Sequence, residues 1–298
     1  EKLKRALTTL DPGEEWLLQP RVDLNDPCLW SPGIKLGVRA GSWFHQTECF
    51  GPVLGVMRAR DLDEAIRFQN NTPFGLTGGI HSLDDSEIAR WKSSVQVGNA
   101  YINRAITGAI IQRQPFGGWK QSSLGPGAKA GGPNYTLQFA ELRDPADAAL
   151  NYQEWWDRYF ALPHDPSALV CESNQLRYRP CRGVLLRLDR AEERAAELAK
   201  EAARIGGVPL QISFSDEESE ADLASRLPAL AKWAEFLRTL RPPGDALLRA
   251  AYGAGLNWIC APMLRNGRHE LVHWLREQSV SETRHRYGLI VNEFVPSV

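Results

Sequence analysis

The sequence contains no apolar run of the roughly 18 residues that a membrane-spanning helix needs. It also has no excess of charge of either sign, because 35 Lys and Arg residues oppose 36 Asp and Glu residues and the net charge is -1 at pH 7. Proteins that bind nucleic acid usually carry a basic face, and no basic cluster is present. The composition therefore predicts no membrane span and no nucleic-acid partner.

Cysteine is scarce as well. The chain has five cysteines, an odd number, and no two of them form a C-x-x-C pair. This usage is typical of free thiols in a reducing compartment, so we expect a cytoplasmic protein. The chain opens with Glu1 rather than Met, and residues 1–10 have the pattern of the second half of a helix. We therefore expect a piece of a longer protein.

Strand and helix patterns alternate along the chain, which predicts an α/β fold with right-handed crossovers. Strands are predicted at residues 16–22, 30–39, 53–57, 76–82, 100–102, 135–142, 184–188, 208–214, 257–261 and 289–294. Helices are predicted at residues 1–10, 61–70, 85–94, 189–205, 229–240, 245–252 and 267–278. A polar connector at 146–166 separates two predicted domains, 1–145 and 167–298. The second lacks a glycine-rich turn after its first strand, so we interpret it as a smaller, Rossmann-like domain without a phosphate loop.

Residues 99–135 are predicted to form a short strand and then a long loop rich in glycine and proline. A loop of this length in a compact chain is normally functional or disordered. Apolar and aromatic residues set into it argue against disorder, because disordered loops are poor in such side chains. We interpret the segment as a folded active-site loop whose backbone approaches a ligand closely.

Within this loop, Gly108 and Ala109 have small side chains and backbone N–H groups that could point at an anion. Consecutive N–H groups in such a loop can form a nest for a carboxylate, although an ordinary tight turn explains the residues equally well. The nearby segment 115–118, Pro-Phe-Gly-Gly, adds the ring of Phe116 and two positions where the backbone can approach a ligand. The loop is therefore a candidate binding site for a small acid.

A second candidate site is Glu48, followed two residues later by Phe50. A carboxylate can accept hydrogen bonds from sugar hydroxyls while a ring packs on a flat base, so the pair suits a nucleotide. The alternative is an exposed Glu beside a core Phe.

The second half of the chain contains an H-E-x-x-H pattern, formed by His269, Glu270 and His273 on a predicted helix. Two histidines four residues apart share one helical face, and a glutamate between them can act as general base, as in zinc metallohydrolases. Glu293 is a conceivable third ligand. This pattern is the one feature of the sequence that indicates a different class of enzyme, a zinc metallohydrolase, which we keep as a remote alternative.

Three segments together resemble the aldehyde dehydrogenase superfamily. They are Glu-Cys-Phe-Gly-Pro at 48–52, Thr-Gly-Ala-Ile at 107–110 and Arg-Gln-Pro-Phe-Gly-Gly at 113–118. With Lys-Ala-Gly-Gly-Pro-Asn-Tyr at 129–135, they resemble the L-glutamate γ-semialdehyde (1-pyrroline-5-carboxylate) dehydrogenases fused to proline dehydrogenase in bacterial proline utilization A. The resemblance covers most of residues 1–142. Residues 177–288 resemble, less specifically, the C-terminal extension of some fused proteins.

The resemblance implies that the C-terminal part of an aldehyde dehydrogenase catalytic domain precedes the smaller Rossmann-like domain. It implies that Glu48 holds the nicotinamide ribose of NAD and that Phe50 lines the nicotinamide pocket. Gly108 and Ala109 would bind the substrate's α-carboxylate through their N–H groups, with Phe116 against its aliphatic stem. The family's reaction is thiolate attack on the aldehyde, hydride transfer to NAD and hydrolysis of the thioester.

The resemblance also implies what is missing. In this family the nucleophilic cysteine, the general-base glutamate and the dinucleotide-binding domain all precede the part that matches here, so we expect no catalytic residue in this chain and no activity from it alone. FAD would belong only to the proline dehydrogenase part of a fused parent. The expected partners are a small-molecule aldehyde, the rest of the dehydrogenase and other copies in a homo-oligomer, which strand 135–142 commonly reaches. Residues 167–298 would be a non-catalytic packing or lid domain.

Overall fold

The computed structural model describes residues 1–286, 289 and 290. The contacts between residues divide the chain into two compact units. The first unit consists of Glu1–Gly75 with Leu83–Gln96, and the second of Leu76–Ser82 with Val97–Val298. This division differs from the predicted domains 1–145 and 167–298, because a strand near the C-terminus pairs directly with Asn99–Ile102.

The first unit combines a small sheet with short helices. Its helices are α1 (Lys2–Thr8), α2 (Trp43–Gln46), α3 (Leu62–Asn70) and α4 (Asp85–Ser94), and its strands are β1 (Glu15–Leu18), β2 (Gly33–Leu36), β3 (Val53–Gly55) and β4 (Phe74–Gly75). Strand β2 pairs antiparallel with β1 and parallel with β3. The predicted starts of α3 and α4 are confirmed, since the side chains of Asp61 and Asp84 accept hydrogen bonds from the first-turn N–H groups.

The second unit contains two four-stranded sheets. Its strands are β5 (Thr77–Ile80), β6 (Asn99–Ile102), β7 (Trp119–Lys120), β8 (Glu172–Pro180), β9 (Val184–Leu188), β10 (Leu210–Phe214), β11 (Phe236–Thr239), β12 (Asn257–Cys260), β13 (Leu275–Thr283), β14 (His285–Arg286) and β15 (Leu289–Ile290). Its α-helices are α5 (Tyr152–Trp155), α6 (Glu193–Gly206), α7 (Glu220–Leu230), α8 (Asp245–Gly253) and α9 (Gly267–Glu270). The sheets have the strand orders β5-β6-β13-β8 and β10-β9-β11-β12.

The sheet β10-β9-β11-β12 is entirely parallel, as the alternating pattern predicts. All five residues of β9 are buried, and α6 covers the sheet with a stripe of small side chains. The predicted capping box at Asp189 and Glu192 is confirmed, and Gly207 ends α6 in a left-handed conformation. The α/β fold class is therefore confirmed.

Three element predictions are wrong. Residues 229–240 do not form one helix, because α7 ends at Leu230 and 236–239 are the fully buried strand β11 between β9 and β12. Residues 267–278 do not form one long helix, because β13 begins at Leu275 and pairs with β6 and β8. Residues 135–142 form no strand; Tyr135–Phe139 is a 3-10 helix whose two terminal rings make an edge-to-face contact. In the first two cases, pairing with strands that are distant in the sequence overrides the local pattern.

The predicted final strand 289–294 lies only partly within the described residues, where Leu289–Ile290 is β15. The strand β8 has no counterpart among the predictions. None of the described helices has the length and hydropathy needed to cross a membrane.

Candidate functional site

The loop between β6 and β7, residues 103–118, holds three of the predicted binding residues and is called the anchor loop below. Gly108 and Ala109 are both exposed at its tip. Gly108 has φ +79°, and a β-carbon added to it would contact nothing within 4 Å. Among the described residues, neither N–H group donates a hydrogen bond. These two donors are therefore open to a ligand, as a carboxylate nest requires.

The anchor loop is held by Gln114, which is only 1% exposed. Its side-chain oxygen accepts a hydrogen bond from the Ile110 N–H at 2.9 Å, and its own N–H donates to the Ile110 carbonyl at 2.8 Å. Its side-chain nitrogen donates to Asn174 Oδ1 at 2.7 Å. Sequence reasoning assigned no role to Gln114 or Asn174.

The ring of Phe116 lies on a rigid backbone. Phe116 and Ala130 exchange two backbone hydrogen bonds of 2.9 Å. The carboxamide of Asn99 on β6 donates to the Pro115 carbonyl and accepts from the Gly117 N–H, both at 3.2 Å. The ring itself is about two-fifths exposed, so it remains available to an apolar part of a ligand.

Beneath this segment, Lys129 and Glu277 are buried together. The Lys129 ammonium donates to Asn99 Oδ1 at 2.9 Å, and its backbone N–H donates to the Glu277 carboxylate at 3.1 Å. Burial lowers the pKa of Lys129 and raises the pKa of Glu277. Asn134 donates to the same carboxylate at 2.7 Å. These contacts tie residues 129–134 to β13 and so support the backbone on which Phe116 lies.

The other predicted pair, Glu48 and Phe50, lies in the first unit, shortly after α2. Both residues are exposed, and Phe50 is 87% exposed. Phe50 is therefore not the core residue that the alternative interpretation required. It has φ +52°, an uncommon conformation for an aromatic residue and one that often marks a binding loop. Between them, Cys49 is half-buried, and burial raises the pKa of its thiol.

The H-E-x-x-H residues do not form the predicted zinc-binding helix. His269 and Glu270 lie in the one-turn helix α9, and His273 lies in the following 3-10 turn. Both oxygens of Glu270 accept hydrogen bonds from Arg238. Within residues 1–286, no group of three or more His, Cys, Asp or Glu is placed to hold a metal ion. Glu293 lies outside the described residues.

A cavity of about 690 Å³ lies elsewhere in the second unit, beside the edge strand β12. Residues 258–262, 137–138 and 140–143 line it, together with a few polar groups that include Asn134 and His273. Gly108, Ala109 and Phe116 are not among its lining residues. The cavity is therefore separate from the predicted substrate site.

Comparison with known proteins assigns a family to part of the chain. Residues 8–144 match the aldehyde dehydrogenase family and form part of a domain of that family. The 1-pyrroline-5-carboxylate dehydrogenase of Bacillus subtilis (strain 168) is 39% identical over 117 residues, which are 39% of this chain and 22% of that protein. The protein of the same name from Geobacillus kaustophilus (strain HTA426) is 46% identical over 106 residues, which are 36% of this chain and 20% of that protein.

The similarity extends to the second half of the chain in one solved structure. Proline Utilization A (PutA) from Corynebacterium freiburgense superposes with a TM-score of 0.82 and 44% identity, covering 97% of this chain and 31% of that chain. The chain thus spans about a fifth of the length of the curated relatives and about a third of the PutA chain. These findings confirm the resemblance inferred from the motifs.

Proposed function

We propose that this chain carries part of the active site of an NAD-dependent dehydrogenase that oxidises L-glutamate γ-semialdehyde to glutamate in proline catabolism. The observation that carries the proposal is the pair of open N–H groups at Gly108 and Ala109 on a loop that is otherwise tied down. Two similarities support it: residues 8–144 match the aldehyde dehydrogenase family, and 117 residues of the chain are 39% identical to a 1-pyrroline-5-carboxylate dehydrogenase. In this proposal the two N–H groups bind the substrate's α-carboxylate, and the ring of Phe116 packs against its aliphatic stem.

Glu48 and Phe50 of the first unit are proposed to bind the cofactor. The carboxylate of Glu48 accepts hydrogen bonds from the hydroxyls of the nicotinamide ribose, and the Phe50 ring lines the nicotinamide pocket. NAD, when bound, supplies the hydride acceptor. The exposure of both side chains supports this assignment, because they have no packing role of their own within the described residues.

The chain by itself is expected to lack activity. No cysteine has the sequence context of the family's nucleophile, and the dinucleotide-binding domain is not part of these 298 residues. Three isoleucines of the anchor loop expose apolar side chains, and Ile111 is 76% exposed, which suits a surface covered by the rest of a larger dehydrogenase. We further propose a homo-oligomeric parent in the cytoplasm. FAD would be confined to a proline dehydrogenase part.

Residues 167–298 are proposed to pack without catalysing a reaction. Ligands of parallel α/β sheets usually bind at the carboxyl ends of the strands. At the ends of β9 and β10, the guanidinium of Arg187 is buried and donates to Ser213 Oγ and to the carbonyls of Phe214 and Glu218. The Arg187 side chain thus occupies part of this edge, which supports a role without a bound nucleotide.

The test compares substrates with and without the acid group. In the full-length dehydrogenase that contains this sequence, γ-semialdehyde should be oxidised with a much higher kcat/KM than pentanal, which lacks the α-carboxylate. The 298-residue chain alone, mixed with NAD and γ-semialdehyde, should produce no NADH. Equal kcat/KM values for the two aldehydes would refute the carboxylate anchor, and turnover by the chain alone would refute its predicted inactivity.

A further inference from the structure

We propose that Asn174 is a positioning residue for the anchor loop, because its carboxamide fixes Gln114 and Gln114 fixes the backbone beside Gly108 and Ala109. The inference deepens the proposed function and rests on it. It gives a strand of the C-terminal part of the chain, β8, a specific effect on substrate binding.

Four groups form a directed series of hydrogen bonds. The Ile110 N–H donates to Gln114 Oε1 at 2.9 Å, and Gln114 Nε2 donates to Asn174 Oδ1 at 2.7 Å. Asn174 Nδ2 then donates to Glu172 Oε2 at 3.0 Å. In each of the three hydrogen bonds, the donor is the group nearer to the loop and the acceptor is the group nearer to Glu172. The series therefore runs in one direction, from the loop to the Glu172 carboxylate.

The carboxylate at the end sets the orientation of both carboxamides. The hydrogen bond from Asn174, with Arg104 and Arg113 nearby, lowers the pKa of Glu172 despite its burial, so this group is ionised and can only accept. The NH2 group of Asn174 must therefore face Glu172, which leaves its oxygen for Gln114. The oxygen of Gln114 must then face Ile110. Reversing either carboxamide would bring two donors or two acceptors together.

The series cannot be replaced by water, because Gln114 is 1% exposed and Asn174 is 0% exposed. The backbone of Asn174 is also held in place, since its N–H group donates a hydrogen bond to Asp165 Oδ2 at 2.7 Å. At Gly108 itself the loop has open space beside it, because a β-carbon added there would contact nothing within 4 Å. The hydrogen bond at Ile110 is thus the constraint nearest in sequence to the two carboxylate-binding amides.

The test exchanges a hydrogen-bond donor for an acceptor in this series, with little change in side-chain shape. In the full-length dehydrogenase, Asn174→Asp places a second carboxylate against Glu172 and removes the donor. The KM for γ-semialdehyde should rise about tenfold with kcat within about twofold, because a ground-state binding contact is weakened. Adding Glu172→Gln supplies an NH2 group to the new carboxylate, so the double variant should return to within about threefold of the wild-type KM.

Hydrogen exchange gives a readout that does not depend on activity. Peptides covering residues 105–112 of the 298-residue chain should exchange faster in Asn174→Asp and return toward wild-type rates in the double variant. Gln114→Glu breaks the series at its other carboxamide and should have the same effect if Asn174→Asp does not fold. Asn25→Asp, the same substitution at an exposed residue of the first unit, should change neither KM nor exchange.

Unchanged KM and exchange in Asn174→Asp would overturn the inference, as would a double variant that restores neither. If the wild-type enzyme did not oxidise γ-semialdehyde, the proposed function would fall. The exchange measurements would still decide whether Asn174 positions the loop.

Discussion

The carboxylate of Glu270 lies against the guanidinium of Arg238, and both side chains are completely buried. Glu270 also accepts hydrogen bonds from Trp274 Nε1 at 2.8 Å and from the Leu264 N–H at 2.9 Å. Its oxygens are therefore occupied by four donors of the protein itself. The glutamate of the H-E-x-x-H pattern is thus part of a structural ion pair and not a general base.

This ion pair should be essential for stability. Arg238→Met leaves a buried carboxylate without its counter-charge, and the loss should be about 3–5 kcal/mol in the free energy of unfolding. Urea unfolding of the 298-residue chain measures it. Arg249→Met removes an exposed arginine that lies 3.4 Å from Asp245, and it should change the free energy by less than about 0.5 kcal/mol. Similar losses in both variants would contradict the prediction.

His273 should make the fold sensitive to mild acid. Burial, followed by the charges of Arg238 and His269, lowers the pKa of its imidazole well below 6.5. As the pH falls below about 6.5, the unfolded chain takes up a proton that the folded chain does not, so the free energy of unfolding decreases. Above that pH, the imidazole is neutral in both states and contributes no such loss.

A His273→Gln variant removes this contribution. Its free energy of unfolding should therefore fall less than that of the wild type between about pH 7 and about pH 5. Denaturant titrations at several pH values measure both curves. Parallel curves would show that His273 is not the group responsible.

The five thiols should react at three different rates. Cys28 and Cys260 are exposed, Cys49 and Cys171 are half-buried, and Cys181 is buried. Burial, with Glu235 nearby, raises the pKa of Cys181 to about 12, and the thiolate is the reactive form. A disulfide reagent at about pH 8 should label two thiols quickly and two slowly. Cys181 should react only after denaturant is added, and early labelling of it would contradict the structure.

Elements with strong local signals were predicted accurately from the sequence. Helix α4 and strand β9 have the predicted bounds, because a cap defines the helix locally and four apolar residues out of five define the strand. Strand β13 was missed because its partner β6 lies far away in the sequence. The segment that includes it carries several good helix formers, and only its pairing with β6 and β8 makes it a strand.

The candidate site shows the same limit. Positions such as Gly108 and Phe116 are recognisable because each belongs to a short local motif, Thr-Gly-Ala-Ile or Pro-Phe-Gly-Gly. Gln114 lies inside the quoted Arg-Gln-Pro-Phe-Gly-Gly segment, yet nothing local indicates that its partner is Asn174, 60 positions later. A buried polar residue is identified by its partner, and a single sequence does not give partners across that distance.

Substitution of Glu48 tests the proposed binding of NAD. Its carboxylate is exposed and makes no hydrogen bond or ion pair within the part of the chain that the structure describes. In the full-length dehydrogenase, Glu48→Gln keeps the shape but replaces a charged acceptor of ribose hydroxyls, so the KM for NAD should rise about tenfold or more.

The matched control is Glu15→Gln, which changes another exposed glutamate in the same unit, on β1. Steady-state kinetics with NAD as the varied substrate should separate the two variants, while both should unfold at the wild-type temperature because neither side chain is packed. A KM for NAD that is unchanged in Glu48→Gln would remove Glu48 from the cofactor site and leave the carboxylate anchor unaffected.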